Sequence, residues 1–313
     1  MAEEKYSFSE VYYSSSDAKT NIHACIWQPA RDVRAVLQIV HGMAEYAERY
    51  ANFAVALAER GVLVCAEDHL GHGKSVSSEK ELGYFADKKG YGCVLEDIRT
   101  LAKIVSSKYQ GVPYFMLGHS MGSFFARKYV SLYGNELSGA IIMGTGYKDG
   151  LTTGVGKFLC SLMALFKGWH HISPFIDNLA FGAYNKRFGG RTKFDWLSKD
   201  EGNADAYIAD PLCGIPFTLN GFYALFDVLG AACAKKTVAA TPSALPVLFV
   251  SGADDPVGDY SKGVQKVYKK FRKLGKNAQI KLYDGCRHEI LNDISREQVV
   301  SDIISFIEAN LTK

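Results

Sequence analysis

Gly118-His119-Ser120-Met121-Gly122 sets a serine between two glycines. It follows the apolar run Tyr114 to Leu117 and precedes an amphipathic stretch that starts near Ser123. A serine hydroxyl attacks a carbonyl carbon only when a neighbouring base takes its proton. Held on a sharp turn between strand and helix, with small residues two before and two after it, the hydroxyl stands exposed on strained backbone. The following helix then aims its first N–H groups at the oxyanion that forms during attack. The pentapeptide alone also fits an ordinary glycine-bracketed turn. Its place between a strand and a helix argues for a nucleophile.

A nucleophile of this kind needs an acid and a base downstream, in the order Ser, Asp or Glu, His. The run Val247 to Val250 leads into Ser251-Gly252-Ala253-Asp254-Asp255-Pro256-Val257, and Ile280 to Tyr283 leads into Asp284-Gly285-Cys286-Arg287-His288-Glu289. Ser120, Asp255 and His288 form the expected catalytic triad. His288 would take the Ser120 proton and later return it to the leaving group, and Asp255 would fix the imidazole tautomer. Asp254 is the alternative acid. It is assigned instead to capping the turn through backbone N–H groups. The run Ala35 to Val40 ends in His41-Gly42-Met43. In this arrangement the backbone N–H groups of Met43 and Met121 make the oxyanion hole, while His41 orients the loop.

Other chemistry-bearing clusters read differently. Asp68-His69-Leu70-Gly71-His72-Gly73-Lys74-Ser75 has two histidines and an aspartate on a glycine-rich loop, without a third ligand of evident geometry, so a structural loop is expected and no metal site. It also lacks phosphate-loop spacing. Cys286, two residues before His288, is either a thiol that sensitises the site or a small packing residue. His170-His171 reads as surface or packing.

These side chains need elements to carry them. Short apolar runs at Ala35 to Val40, Val62 to Ala66, Tyr114 to Leu117, Ala140 to Met143, Val247 to Val250 and Ile280 to Tyr283 suit strands buried on both faces. Tyr50 to Arg60, Val94 to Tyr109 and Ser123 to Tyr133 have helical periodicity. Strand alternating with helix predicts a doubly wound α/β sheet. Tyr6 to Tyr13 and Ile22 to Trp27 alternate in the manner of antiparallel edge strands. The alternation breaks from about Lys148 to Lys236. There Val155, Phe158, Leu159, Leu162, Met163 and Phe166 fall on one helical face, and Phe222 to Leu229 form a second apolar set. The expected organisation is a core of residues 1–147 and 237–313 with an inserted helical cap, or lid, at 148–236.

The 313 residues are 48% hydrophobic and 22% charged, the balance of a globular chain large enough to bury a core. A net charge of +3, without a Lys/Arg stripe interleaved with aromatics, gives no support to nucleic-acid binding. No apolar window reaches the roughly 20 residues that span a bilayer. The start, Met-Ala-Glu-Glu-Lys-Tyr, does not read as a secretory leader. Seven scattered cysteines without a C-x-x-C pair suit reduced thiols in a cytoplasmic protein.

Taken together, five segments are similar to one family. They are His41-Gly42-Met43 with Glu45 and Arg49-Tyr50; Asp68-x-x-Gly71-His72-Gly73-x-Ser75; Gly118 to Gly122; Gly252-x-x-Asp255-Pro256-Val257; and Tyr283 to Asn292 around His288. The set resembles the monoacylglycerol lipase and bacterial lysophospholipase group of α/β hydrolases. The resemblance implies an α/β-hydrolase fold with a helical cap, no cofactor, and ester hydrolysis on monoacylglycerols, lysophospholipids or short acyl esters. Asp195-Trp196-Leu197-Ser198 and Tyr207 to Leu212 look like cap segments of bacterial members. The cap's apolar faces are candidates to line an acyl pocket, to touch lipid peripherally, or to pack on the core. Relatives with this fold include iminopeptidases, so a peptidase on the same triad is the second reading; Asp195, Asp200, Glu201, Asp205 and Asp210 would supply acidic groups for a substrate amine. A third is a non-catalytic ligand-binding homologue.

Overall fold

The computed structural model describes residues 5–88 and 90–311; the first four residues, read above for a leader, lie outside them. Eight strands form one sheet: β1 (Tyr6–Ser14), β2 (Asn21–Pro29), β3 (Ala35–Val40), β4 (Val62–Glu67), β5 (Tyr114–His119), β6 (Gly139–Met143), β7 (Val247–Gly252) and β8 (Ala278–Tyr283). Their spatial order is β1-β2-β4-β3-β5-β6-β7-β8. β1 pairs antiparallel with β2, and β2 antiparallel with β4; every later pairing is parallel. The chain has the expected α/β-hydrolase fold, a mostly parallel sheet with an antiparallel N-terminal margin.

The continuous apolar runs become strands covered on both faces. Every residue of β3, β4, β5, β6 and β7 is buried. Side chains alternate across a strand, so Val36 and Val40 enter one core layer while Leu37 and Ile39 enter the other. The first layer is covered by α2 (Gly90–Lys108) and α3 (Met121–Tyr133), the second by α1 (Ala51–Ala58) and α10 (Arg296–Glu308). β8 departs from the expectation of burial on both faces. It is one of the two edge strands, where Gln279 and Lys281 are exposed and only the end residues Ala278 and Tyr283 are buried.

Between β6 and β7 the chain builds α4 (Gly150–Lys167), α5 (Pro174–Phe181), α6 (Glu201–Ala209), α7 (Leu219–Cys233) and α8 (Lys235–Ala240), and α9 (Lys262–Lys273) follows β7. Side-chain oxygens of Asp149, Ser173, Asp200 and Thr218 cap α4, α5, α6 and α7. α7 packs on α4 and also on the core helices α3 and α2, so it bridges the inserted segment to the sheet layer. Only part of the apolar face read on α4 is covered. Leu159 and Met163 pack inward, whereas Phe158 and Phe166 face solvent.

Candidate active site

Ser120 sits between β5 and α3 with φ 53° and ψ −119°. A non-glycine residue rarely adopts positive φ, and doing so costs of order 1–3 kcal/mol. The flanking glycines explain how the turn closes. A Cβ on Gly118 would lie 2.4 Å from the Gly122 carbonyl oxygen, and one on Gly122 would lie 2.0 Å from the Val40 carbonyl oxygen. The elbow is therefore pressed against the end of β3, from which the His41-Gly42-Met43 loop leaves. The Ser120 N–H donates to the Met143 carbonyl at 3.0 Å, which ties the elbow to β6.

Asp255 and His288 leave β7 and β8 at the same end of the sheet. Asp255 Oδ2 lies 3.0 Å from His288 Nδ1, and both side chains are buried. Asp255 Oδ1 accepts from the Val257 N–H at 2.8 Å. Asp254 does not cap the turn as expected: it is exposed, and Asp255 performs the capping itself. The His288 ring lies 4.8 Å from that of His119 and 5.2 Å from that of Trp196, which the inserted segment supplies. Cys286 is fully buried, and burial pushes its thiol pKa up, away from the reactive thiolate. His170 stacks on Tyr84 with ring centroids 4.0 Å apart.

Sequence reasoning assigned no role to a buried polar network beside the elbow. Glu45 Oε1 accepts from the Gly42 N–H at 2.6 Å and from the Tyr50 hydroxyl at 2.8 Å, and it lies 2.9 Å from His119 Nδ1. Its other oxygen accepts from Arg49 at 3.0 Å. Arg49 also pairs with Glu289, which accepts from Asn203 Nδ2 of the inserted segment at 2.7 Å. Burial pushes the Glu45 carboxyl pKa up, but His119 and Arg49 outweigh it and hold Glu45 well below the usual carboxylate range. Burial pulls His119 down, and the Glu45 carboxylate more than reverses that. The only available signal was the presence of Glu45, Arg49 and Tyr50 in the resemblance motif.

The Asp68 to Ser75 loop is an internal brace. Asp68 accepts from the Ala47 and Lys74 N–H groups, both at 2.8 Å, and lies 2.8 Å from His23 Nδ1. His69 stacks on His41 at 3.9 Å, and His41 Nε2 accepts from the His69 N–H at 2.9 Å. Burial holds His41, His69 and His72 below the ordinary histidine range, the latter two at about 4. Among the described residues no cluster of His, Cys, Asp and Glu has the geometry to hold a metal ion.

Ser120, Met43, Met121 and His288 line one cavity of about 1010 Å³. Its remaining wall is mostly apolar and comes largely from the inserted segment, including Leu151, Val155, Phe181, Phe217, Leu225 and Phe226. An apolar chamber with the Ser120 elbow in its wall is of a size and character to hold an acyl chain.

Residues 31–295 match the model of the Hydrolase_4 family, described as serine aminopeptidase, S33. The chain belongs to that family. A monoacylglycerol lipase of Mycolicibacterium smegmatis is 28% identical over 291 residues, covering 91% of this chain and 92% of the relative. The monoglyceride lipase of Homo sapiens is 24% identical, covering 86% and 80%. Among solved structures, a thermostable carboxyl esterase from Bacillus coagulans in complex with glycerol superposes with a TM-score of 0.92 at 32% identity, covering 98% of this chain and 99% of that one. This family member is thus an α/β hydrolase similar to monoacylglycerol lipases, and a hydrolytic enzyme. Among the described residues no helix is long and apolar enough to cross a membrane.

Proposed function

We propose that this carboxylic ester hydrolase cleaves monoacylglycerols, lysophospholipids or short acyl esters through an acyl-enzyme on Ser120. The observation that carries the reading is the strained Ser120 elbow on the floor of an apolar cavity that also receives His288, itself bonded to Asp255. Ser120 Oγ attacks the ester carbonyl carbon while His288 Nε2 takes its proton, and Asp255 accepts from Nδ1–H and stabilises the imidazolium. The N–H groups of Met43 and Met121 receive the oxyanion. Collapse of the tetrahedral intermediate expels the alcohol, which takes the proton from His288. Water, deprotonated by the same imidazole, then releases the acid and restores Ser120.

The segment 148–236 acts as the cap that encloses the acyl chain. Its outer face suits contact with a lipid surface, since Leu165 is 79% and Phe166 81% exposed, and Leu151 and Val155 are exposed as well as lining the cavity. Seven free cysteines, six of them buried, suit a reducing compartment such as the cytoplasm.

The ester reading is favoured over a peptidase because none of the five acids read as partners for a substrate amine lines the cavity, and the cap carboxylate that does, Asp177 of α5, stands in a mostly apolar wall. Asp195 holds Thr192, Asp200 caps α6, Glu201 and Asp205 flank Arg191, and Asp210 accepts from the Tyr46 hydroxyl. The test is a panel of p-nitrophenyl esters from acetate to palmitate, with monoacylglycerols, lysophosphatidylcholine and an aminoacyl amide. Ester turnover that disappears in Ser120→Ala, with the fold intact, is expected. Substantial turnover by that variant, or a preference for the amide, contradicts the reading.

A further inference from the structure

Arg127 is 1% exposed, yet among the described residues no carboxylate pairs with it. A buried cation is costly unless its donors are satisfied. Its Nη1 donates to Thr145 Oγ1 at 3.3 Å and to the Gly146 carbonyl at 3.1 Å. Its Nη2 donates to the Ala232 carbonyl at 2.8 Å and lies 3.5 Å from Cys233 Sγ. Ala232 is in the last turn of α7, whose carbonyls have no helical partner and carry the negative end of the helix dipole. That helix end takes the place of a counter-ion. Among the described residues the Nε–H has no partner.

The acceptors are not scattered. Thr145 and Gly146 follow β6 where the inserted segment begins, and Ala232 stands where α7 ends. Arg127 itself is on α3, two turns after Ser120. One guanidinium therefore ties both stems of the insertion to the elbow helix.

The loop it grips also lies between the elbow and His288. Ser123 Oγ is hydrogen-bonded to the Ser120 carbonyl and lies 2.8 Å from Thr145 Oγ1. A hydroxyl has one proton, so a single direction satisfies all three contacts: Arg127 donates to Thr145, Thr145 to Ser123, and Ser123 to the Ser120 carbonyl. On the other side, Gly144 lies against the His288 ring; a Cβ there would be 3.1 Å from Cε1 and 3.2 Å from Nδ1. The 144–146 loop is a wedge that touches the nucleophile's turn through Thr145 and the imidazole through Gly144.

We propose that Arg127 is a positioning residue for the hydrolysis. It fixes the wedge between Ser120 and His288. The inference rests on the ester-hydrolase reading above. Displacing reacting groups by about 1 Å costs on the order of 100-fold in rate.

The test compares wild type, Arg127→Met, Arg127→Lys and Thr145→Val on p-nitrophenyl butyrate, with active sites counted by a fluorophosphonate probe. In Arg127→Met, kcat per titrated site should fall about 10- to 100-fold. KM should stay within about twofold. Arg127→Lys, which keeps a cationic donor at the same place, should restore part of kcat. Thr145→Val should lower kcat and leave KM within about twofold. Should Arg127→Met give no folded protein, Thr145→Val decides by its kcat. Values of kcat per titrated site within twofold of wild type, whatever the loss of melting temperature, overturn the proposal. A wild type that neither labels nor hydrolyses esters instead removes the ester-hydrolase reading itself.

Discussion

Arg49 and Glu289 form a bidentate ion pair, with Nη1–Oε1 at 2.8 Å and Nη2–Oε2 at 2.9 Å, in a site that leaves the Arg49 side chain 10% exposed. Glu289 directly follows His288, and the same guanidinium reaches Glu45, which holds the Gly42 N–H. The pair thus connects the loop after β3 to the loop after β8. Breaking a buried pair is expensive because the remaining charge is left without a partner. Arg49 serves two carboxylates, whereas loss of Glu289 still leaves it Glu45. Arg49→Met is therefore expected to cost about 3–5 kcal/mol in urea unfolding, and Glu289→Gln clearly less. Equal losses would contradict the shared-cation arrangement.

Asp255 and Asp254 are adjacent, but only Asp255 is buried against the imidazole. Asp255→Asn is expected to retain the fold and lose about 10⁴-fold in kcat, since the amide favours the wrong histidine tautomer. Asp254→Asn should stay within about twofold of wild type. Initial rates on a soluble p-nitrophenyl ester, with circular dichroism to check folding, separate the two.

Glu67 is fully buried at the end of β4, and burial pushes its carboxyl up to about 8. The folded protein therefore holds a proton on Glu67 between about pH 4.5 and 8, where the unfolded chain has released it. Stability from this group is present below that window and is lost as pH rises through it. The melting temperature of wild type should fall between pH 5 and 8.5, reflecting a loss of stability on the order of a few kcal/mol. Glu67→Gln should flatten that slope. An unchanged slope in the variant would show that other groups govern it.

Leu165 and Phe166 expose apolar surface at the end of α4, apart from the elbow. Replacing both with serine should leave turnover of p-nitrophenyl acetate nearly unchanged. Partitioning onto phosphatidylcholine vesicles, read by sedimentation, should fall on the order of 100-fold, and turnover of monoacylglycerol presented in them should fall with it, since each of the two large side chains contributes roughly 1.5–3 kcal/mol when buried in lipid. Equal activity on vesicle-borne substrate would remove the lipid-facing role.

The order of strands and helices, the Ser120 elbow and the loops that carry Asp255 and His288 were legible because they depend on local chemistry. A strand covered on both faces must be continuously apolar, a tight elbow needs glycines, and a fixed topology delivers the loops to one sheet end. β8 was misread as buried because edge position is a property of the sheet and not of its six residues. Asp254 was given a capping role that belongs to Asp255, because spacing does not say which of two adjacent carboxylates turns inward. Tertiary structure alone decided how Glu45, Arg49 and Glu289 meet, how Trp196 reaches the His288 ring, and how Arg127 comes to bridge Thr145 and Ala232. Those contacts join residues up to 240 positions apart. No periodicity records them; their energy comes from removing the partners from water together, which happens only once the chain has folded.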